Sequence, residues 1–269
     1  YAIVFGWVDS TKLQFSNTAK DIQTLNFATL QGEYDISAIS FALYPLIVQD
    51  YALLRTGVSF GNGYGPKLIR RKDKMLKKHF KVALSGEHTT NAMIFRLAYP
   101  HAKIIYKNFL DIESAVLSDE VDAGVLIHES ILNFNENLCV EAEIWDIWQD
   151  LSGWDLPLPL GGMALRRSLP LPTAIECENI LTKAVQIAVQ NKRLLSHMLL
   201  ERGVVRVNAQ ELDRYLNLYA NADSISMGEL ELKAVNRLFE LGFEAGFYPQ
   251  CIRAEDCLIP TEYTQLRFL

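Results

Sequence analysis

The sequence predicts an α/β protein with two lobes, a mostly parallel sheet in each lobe and a helical C-terminal third. Short apolar runs alternate with longer helical patterns through the first two thirds of the chain, which is typical of βαβ units. From Pro172 onward only helical patterns follow, and two polar or Pro/Gly-rich stretches interrupt the alternating part.

The predicted strands are short and apolar, and Gly, Pro or polar residues bound each of them. They cover residues 34–40, 51–56, 80–84, 103–106, 122–127 and 162–166. The predicted helices cover residues 89–99, 111–117, 173–189, 194–201, 209–219 and 227–241. In the last of these, Leu230, Ala234, Leu238 and Leu241 fall on one face at helical spacing.

Two stretches are candidate crossovers between lobes. Residues 154–162 are too rich in Pro and Gly for a helix or a strand, and residues 67–81 are strongly polar. We therefore expect residues 1–81 and 162–269 to form lobe 1, with residues 82–161 inserted as lobe 2. A cleft between the lobes follows from this arrangement.

Composition excludes several classes of protein. Hydrophobic residues make up 49% of the 269 residues and charged residues 22%, as in ordinary folded chains, and the net charge of -6 argues against a general affinity for nucleic acid. No apolar run reaches the roughly 18 residues that a membrane-spanning helix needs. The four cysteines contain no Cys-x-x-Cys pair, so a reducing compartment, the cytoplasm, is expected.

The chain opens on Tyr1, and residues 1–8 have the pattern of the middle of an amphipathic helix with no capping residue before it. We therefore expect upstream residues, including a first strand, to be missing from the given sequence.

Two segments have both a functional and a structural interpretation. Residues 67–81 contain eight Lys or Arg against one Asp, which favours either an anionic ligand or, more commonly, a solvated surface helix. Residues 57–66 are rich in Gly, but the spacing differs from Gly-x-Gly-x-x-Gly and Pro66 stands where a nucleotide-binding helix would begin. This segment is expected to be a loop that lines the cleft.

Two strand ends carry candidate site residues. Residues 85–90 lie between a strand and a helix, where hydroxyl and N–H groups either bind an anion or simply cap the helix. His128 follows an apolar strand, so it is either a general base that Glu129 orients or a histidine that hydrogen-bonds locally. His88 and His128 lack a third ligand at a known spacing, which argues against a metal. Trp145, Trp148 and Trp154 either shape the cleft or fill a core.

These same segments resemble the menaquinone-biosynthesis enzymes of the futalosine route. The matching motifs occur in order along the chain, at residues 35–40 (DISAIS), 54–57 (LRTG), 63–66 (GYGP), 88–90 (HTT), 122–130 (DAGVLIHES), 156–162 (LPLPLGG), 219–222 (YANA) and 227–228 (MG). The Ile-His-Glu-Ser element favours the branch that makes 1,4-dihydroxy-6-naphthoate over the related chorismate dehydratases.

The resemblance implies a fold like that of type II periplasmic binding proteins, with a small-molecule substrate in the cleft and no metal or redox cofactor. The reaction of this branch converts cyclic dehypoxanthinylfutalosine to 1,4-dihydroxy-6-naphthoate and dihydroxyacetone. The histidine proposed as its general base corresponds to His128. Its substrate-binding positions correspond to Ala38, Ile39, Ser40, Thr90 and Asn91.

Two alternatives stay open from the sequence. Chorismate dehydratase activity would use the same scaffold and depend little on His128. A non-catalytic solute-binding protein is the other alternative, because the same fold mostly serves transport.

Overall fold

The computed structural model describes residues 1–153, 155–203, 205 and 207–262, apart from the side chain of Glu129. Nine strands are found in this part of the chain: β1 (Ile36–Ser40), β2 (Tyr51–Leu53), β3 (Ser59–Gly61), β4 (Lys67–Arg71), β5 (Lys81–Leu84), β6 (Lys103–Tyr106), β7 (Ala123–Leu126), β8 (Leu138–Glu143) and β9 (Leu158–Arg166). They form two sheets, one in each lobe.

Ten α-helices accompany these strands in the same described ranges: α1 (Ile22–Leu30), α2 (Tyr44–Ile47), α3 (Thr90–Ala98), α4 (Ile112–Leu117), α5 (Ile144–Ser152), α6 (Leu171–Gln190), α7 (Lys192–Glu201), α8 (Ala209–Tyr219), α9 (Ala222–Ile225) and α10 (Glu229–Glu244). The two-lobed α/β class and the helical final third are confirmed. No helix in the described ranges is long and apolar enough to cross a membrane.

The first sheet is built around β9. This long strand pairs antiparallel with β1, β2 and β3, so the mostly parallel direction expected for this lobe is not found. The reason is topological, because β9 returns from the second lobe and crosses the sheet against the direction of the strands already there. Its pairing with β1 sets Gly162 opposite Ile39 and Gly161 opposite Ser40.

The second sheet is mixed, in the order β6-β5-β7-β4-β8. β5 pairs parallel with β6 and β7, and the crossovers contain α3 and α4 as predicted. β4 pairs antiparallel with both β7 and β8. The expected parallel arrangement therefore holds for only one half of this sheet.

The basic run does not form the expected surface helix, because its first residues form β4. Leu68 and Ile69 are fully buried in this strand. The basic side chains beside them pair with acidic residues of β8, since Lys67 lies 2.5 Å from Glu143 and Arg70 lies 2.5 Å from Glu141. The neighbouring strand thus pairs with two of the eight basic residues.

The positions of the strands in the sequence show which parts of the chain belong to each sheet. β4 already belongs to the second sheet, although it precedes residue 81, and β9 begins in the first sheet before residue 162. The lobe boundaries at 81 and 161 stay a prediction, and we propose that the chain crosses between the lobes nearer residues 62–66 and 155–157.

One hydrophobic core extends through both lobes. Its buried members include Ile39 near β9, Val82 and Val125 of the second sheet, and Phe239 of α10. Trp148 of α5 is fully buried in it, and its indole N–H donates to the carbonyl of Leu156 at 3.0 Å. This tryptophan fills the core, whereas Trp154 lies outside the described residues.

The first residues of the chain form turns rather than the expected helix. Ala2 and Val8 are buried against Ile180 and Ala184 of α6. The apolar pattern of residues 1–8 therefore reflects packing onto a helix of the C-terminal third.

Candidate functional site

A cavity of about 250 Å³ is lined by strands of the first sheet and by segments that adjoin the second sheet, namely the residues after β7 and the start of α3. This is near the lower end of the range for small-molecule pockets, which begins at about 300 Å³. Its walls contain all six residues singled out from the sequence, together with parts of the glycine-rich loop and of α8. The lining residues are Ile22, Ala38, Ile39, Ser40, Gly57, Ser59, Pro66, Thr89, Thr90, Asn91, Ile127, His128, Leu160, Gly161, Gly162, Tyr215 and Tyr219.

Ala38, Ile39 and Ser40 come from the end of β1. Ser40 is held by Asn26 of α1, whose amide oxygen accepts from the Ser40 N–H at 3.0 Å and whose amide nitrogen donates to the Ser40 hydroxyl at 3.2 Å. Asn26 is completely buried. The sequence did not reveal α1, so this supporting residue was missed.

Gly161 lets β9 approach the end of β1. A Cβ atom at this position would lie 2.6 Å from the carbonyl oxygen of Ile39, which is closer than real Cβ contacts permit. The strand wall of the cavity therefore requires glycine here.

The glycine-rich segment of residues 57–66 contributes Gly57, Ser59 and Pro66 to the walls, as expected. It is not a loop throughout, because Ser59–Gly61 pair with β9 and form β3. Gly57 has a φ of +70°, and a Cβ atom there would meet the side chain of Met163 at 2.6 Å. Its N–H donates to the carbonyl of Ser224 at 2.9 Å, which ties the loop to α9.

Thr89, Thr90 and Asn91 stand at the start of α3. Thr89 is the N-cap, and its hydroxyl oxygen accepts from the N–H of Ala92 at 3.3 Å. The capping interpretation of this segment is thus correct, and the same residues also line the cavity. The first N–H groups of a helix have no intrahelical partner, so a bound carboxylate or hydroxyl would be favoured here.

Thr90 joins the lobes. Its hydroxyl donates to the carbonyl of Leu160 at 2.9 Å and accepts from the N–H of Ala42 at 3.2 Å. The hydroxyl proton of Thr90 is already used in the hydrogen bond to the backbone. A ligand would therefore contact the backbone of Thr90 more readily than its hydroxyl donor.

His128 follows β7 and opens a short 3-10 turn, His128–Ile131. Its φ is +54°, a left-handed conformation that is costly for residues with a Cβ and that often occurs at functional sites. The ring of Phe109 lies edge-on against the imidazole, with centroids 5.2 Å apart. His128 is half-buried, and the side chain of Glu129 lies outside the described part of the structure.

The two histidines weighed as metal ligands do not share this site. His88 contacts the ring of Phe27 at a centroid distance of 5.5 Å and is absent from the cavity walls. Within the described ranges, no group of three or more His, Cys, Asp or Glu residues is placed to hold a metal ion.

Two tyrosines of α8 were missed from the sequence. Tyr215 and Tyr219 line the cavity, and their ring centroids are 4.6 Å apart. Burial raises the pKa of the Tyr219 phenol above its ordinary value, and Tyr215 and Tyr64 add to the effect. The sequence does place the two tyrosines four residues apart within a predicted helix. Residues at this spacing share one face of a helix, so the pair could have been recognised as a joint surface.

The walls are also distinctive in charge. Among the lining residues that the structure describes, none is Asp, Glu, Lys or Arg, and His128 is the one histidine. Polar contact with a ligand must come from hydroxyl, amide, imidazole and backbone groups. Fixed dipoles of this kind act strongly in a site from which water is excluded.

The fold and the cavity together define a two-lobed α/β protein of the periplasmic-binding-protein type, with a histidine and two tyrosines on the walls of its cleft. The chain belongs to the menaquinone biosynthesis family, whose sequence profile matches residues 1–244.

Two curated relatives are both named 1,4-dihydroxy-6-naphthoate synthase. The one from Thermus thermophilus is 30% identical over 248 residues, which cover 89% of this chain and 87% of the relative. The one from Streptomyces coelicolor is 30% identical over 244 residues, which cover 86% and 84%.

Solved structures resemble the whole fold. The protein AF1704 from Archaeoglobus fulgidus has a TM-score of 0.82 at 30% identity, over 92% of each chain. The periplasmic aliphatic sulphonate binding protein SsuA from Escherichia coli has a TM-score of 0.59 at 13% identity, over 92% of this chain and 83% of its own. This second likeness supports the fold alone.

Proposed function

We propose that the protein is a carbon–carbon lyase of menaquinone biosynthesis, which converts cyclic dehypoxanthinylfutalosine to 1,4-dihydroxy-6-naphthoate and dihydroxyacetone with His128 as general base. One observation carries this proposal: His128 and the five positions expected to bind substrate line one cavity in a chain whose curated relatives are named 1,4-dihydroxy-6-naphthoate synthase.

The residues have distinct roles in this proposal. His128 takes a proton from the sugar-derived ring of the substrate, after which elimination and cleavage of a carbon–carbon bond release the three-carbon product. Formation of the aromatic naphthoate supplies the driving force. The reaction as proposed uses no metal or redox cofactor.

The conformation of His128 supports its role as the base. A histidine that merely ends a strand has no need of a left-handed backbone, whereas the φ of +54° accompanies a side chain that reaches the cavity. The contact with Phe109 restricts the imidazole ring, and a restricted base has less freedom to lose when it meets the substrate.

Substrate binding is assigned to two uncharged segments of the cavity wall. Ala38, Ile39 and Ser40 at the end of β1, and Thr90 and Asn91 at the start of α3, would hold the carboxylate and hydroxyl groups of the substrate through backbone N–H and side-chain groups. We place the reaction in the cytoplasm, since the four cysteines are free in the structure and suit a reducing compartment.

The experiment compares the purified full-length wild type with His128→Ala, using cyclic dehypoxanthinylfutalosine and chorismate as separate substrates. The wild type is expected to form the naphthoate, followed by absorbance and mass spectrometry. His128→Ala should be slower by roughly 10²–10⁴-fold, the usual contribution of a general base. His197→Ala is the matched control, because His197 is exposed on α7, pairs with Glu201 four residues away and does not line the cavity.

The other outcomes identify the alternatives. Turnover of chorismate with little dependence on His128 would favour chorismate dehydratase activity on this scaffold. Tight binding of the futalosine derivative with no product from the wild type would favour a solute-binding protein.

A further inference from the structure

Tyr215 and Tyr219 form a part of the cavity wall that the roles above do not use. Both belong to α8, four residues apart, and therefore share one face of the helix. Their ring planes are inclined by 39°, with centroids 4.6 Å apart. Two adjoining aromatic rings thus face a cavity whose other walls come largely from the first sheet, the segment after β7 and the start of α3.

The inner ring of this pair is fixed from behind. The ring of Tyr64 meets Tyr219 edge-on at 5.2 Å, with an interplanar angle of 89°. The Tyr64 hydroxyl donates a hydrogen bond to the backbone carbonyl of Leu218, which precedes Tyr219 on α8. The same hydroxyl lies 3.1 Å from the backbone carbonyl oxygen of Phe60. Tyr64 thereby ties α8 to the β3–β4 segment and holds the aromatic wall in place before any ligand arrives.

The start of α8 is fixed as well. Asn208 and Glu211 form a reciprocal capping box, in which each side chain accepts from the backbone N–H of the other residue, at 3.0 and 3.3 Å. A rigid helix carrying rigid rings loses little entropy when it binds a flat ligand.

The chemistry of the wall favours stacking over proton transfer. Burial raises the pKa of Tyr219, so its phenol stays neutral at the pH where an enzyme works and cannot serve as a base. Ile39, Ile127 and Leu160, which line the same cavity, are apolar, which suits the faces of a planar ring.

We propose that Tyr215 and Tyr219 form an aromatic subsite that stacks on a planar, carboxylate-bearing aromatic ring of the ligand. The assignment of that ring to the substrate and the naphthoate product rests on the proposed function. The subsite makes the protein selective for aromatic bicycles over saturated ones with the same carbon skeleton, because only a planar aromatic face gains the stacking contribution.

The test is equilibrium binding of 2-naphthoic acid to the full-length protein, with decahydronaphthalene-2-carboxylic acid as the saturated analogue. We expect Tyr219→Leu and Tyr215→Leu each to weaken naphthoic acid binding by about three- to tenfold, the usual size of an aromatic pair contact. Tyr219→Phe and Tyr215→Phe keep the ring and should bind within about twofold of the wild type. The saturated analogue should bind the wild type more weakly and respond less to either Leu variant.

Folding is controlled separately. Circular dichroism and thermal unfolding of each variant show whether the fold is kept, and the Phe variants give a second reading where a Leu variant fails to fold. Tyr106→Leu serves as the matched loss of an exposed tyrosine that does not line the cavity, and it should leave binding unchanged.

The results that overturn the proposal are distinct from those that overturn the function. Absence of naphthoic acid binding by the wild type, equal binding by the folded Leu variants, or equal loss for the saturated analogue would each remove the aromatic subsite. If the wild type turns over the futalosine derivative while the Leu variants keep its KM, the function stands and the subsite falls. If no turnover occurs but naphthoic acid binding depends on the two rings, the subsite stands and the function falls.

Discussion

The side-chain amide of Asn26 forms hydrogen bonds with both the backbone N–H and the hydroxyl of Ser40. The two hydrogen bonds, of 3.0 and 3.2 Å, connect a helix near the start of the chain to the end of β1, fourteen residues further on. Both residues are buried, and Ser40 lines the cavity while Asn26 stands behind it. The position of one site residue therefore depends on an amide that never meets the ligand.

We expect Asn26→Ala to destabilise the protein by about 1–3 kcal/mol, because the buried N–H of Ser40 loses its acceptor. The same change should raise KM as the end of β1 loses its support. Denaturant unfolding and steady-state kinetics measure the two effects. Leu30→Gln, on an exposed position of the same helix, is the control and should change neither. An unchanged stability in Asn26→Ala would contradict the role given to this amide.

Thr90 provides a second prediction, since its hydroxyl bridges Leu160 and Ala42. Thr90→Val keeps the shape but leaves a buried carbonyl and a buried N–H without a side-chain partner, and we expect it to cost about 1–3 kcal/mol. Thr90→Ser keeps the hydroxyl and should cost no more than about 1 kcal/mol for the lost methyl group. Equal stability of the two variants would show that the bridge contributes nothing.

Phe109 is expected to act on the reaction through His128. Phe109→Leu removes the edge-on ring contact, so the imidazole gains freedom and kcat should fall by about tenfold with little change in KM. Phe134→Leu is the matched control, because Phe134 packs against the same small core as Phe109 and makes no ring contact with His128 among those found in the described residues. If both variants lose kcat equally, the effect comes from the core and not from the histidine.

The buried phenols predict how stability depends on pH. Burial raises the pKa of Tyr64 to about 12 and also raises that of Tyr219, so the unfolded chain loses these protons first as the pH increases. The free energy of unfolding should therefore be insensitive to these groups below about pH 10 and fall above it.

Denaturant unfolding at pH 8, 10 and 11 checks this, with Tyr64→Phe expected to show a shallower alkaline decline. Absorbance at 295 nm follows the phenolates directly. If the alkaline decline in stability is unchanged in Tyr64→Phe, Tyr64 titrates at the ordinary value for an exposed tyrosine. That result would contradict a raised pKa of Tyr64.

Much of the fold was predictable because local patterns decide it. Helix α8 occurs at the predicted residues 209–219, where apolar spacing and a capping residue agree. The strand before His128 is buried along its whole length and was predicted from its continuous apolar run. The capping interpretation at Thr89 was likewise correct, whereas the predicted loop of residues 57–66 lines the cleft but contains the short strand β3, which forms by pairing with the distant β9.

The rest depends on contacts between distant parts of the chain. The direction of β9 relative to β1 is set by the return from the second lobe, which no local window contains. The first residues of the basic run form a strand beside β8, where Lys67 and Arg70 pair with Glu143 and Glu141. Asn26 was missed for the same reason, since nothing near it in sequence indicates that it will meet Ser40.

The central claim is that His128 is the base of a lyase reaction in this cavity. The most direct test is a single-turnover experiment in which wild type and His128→Ala, each in excess over cyclic dehypoxanthinylfutalosine, are quenched in time and the products measured by mass spectrometry. We predict that the wild type releases 1,4-dihydroxy-6-naphthoate and dihydroxyacetone in equal amounts, while His128→Ala binds the substrate but forms product at least about 10²-fold more slowly. Product formation at equal rates by the two proteins would contradict the claim.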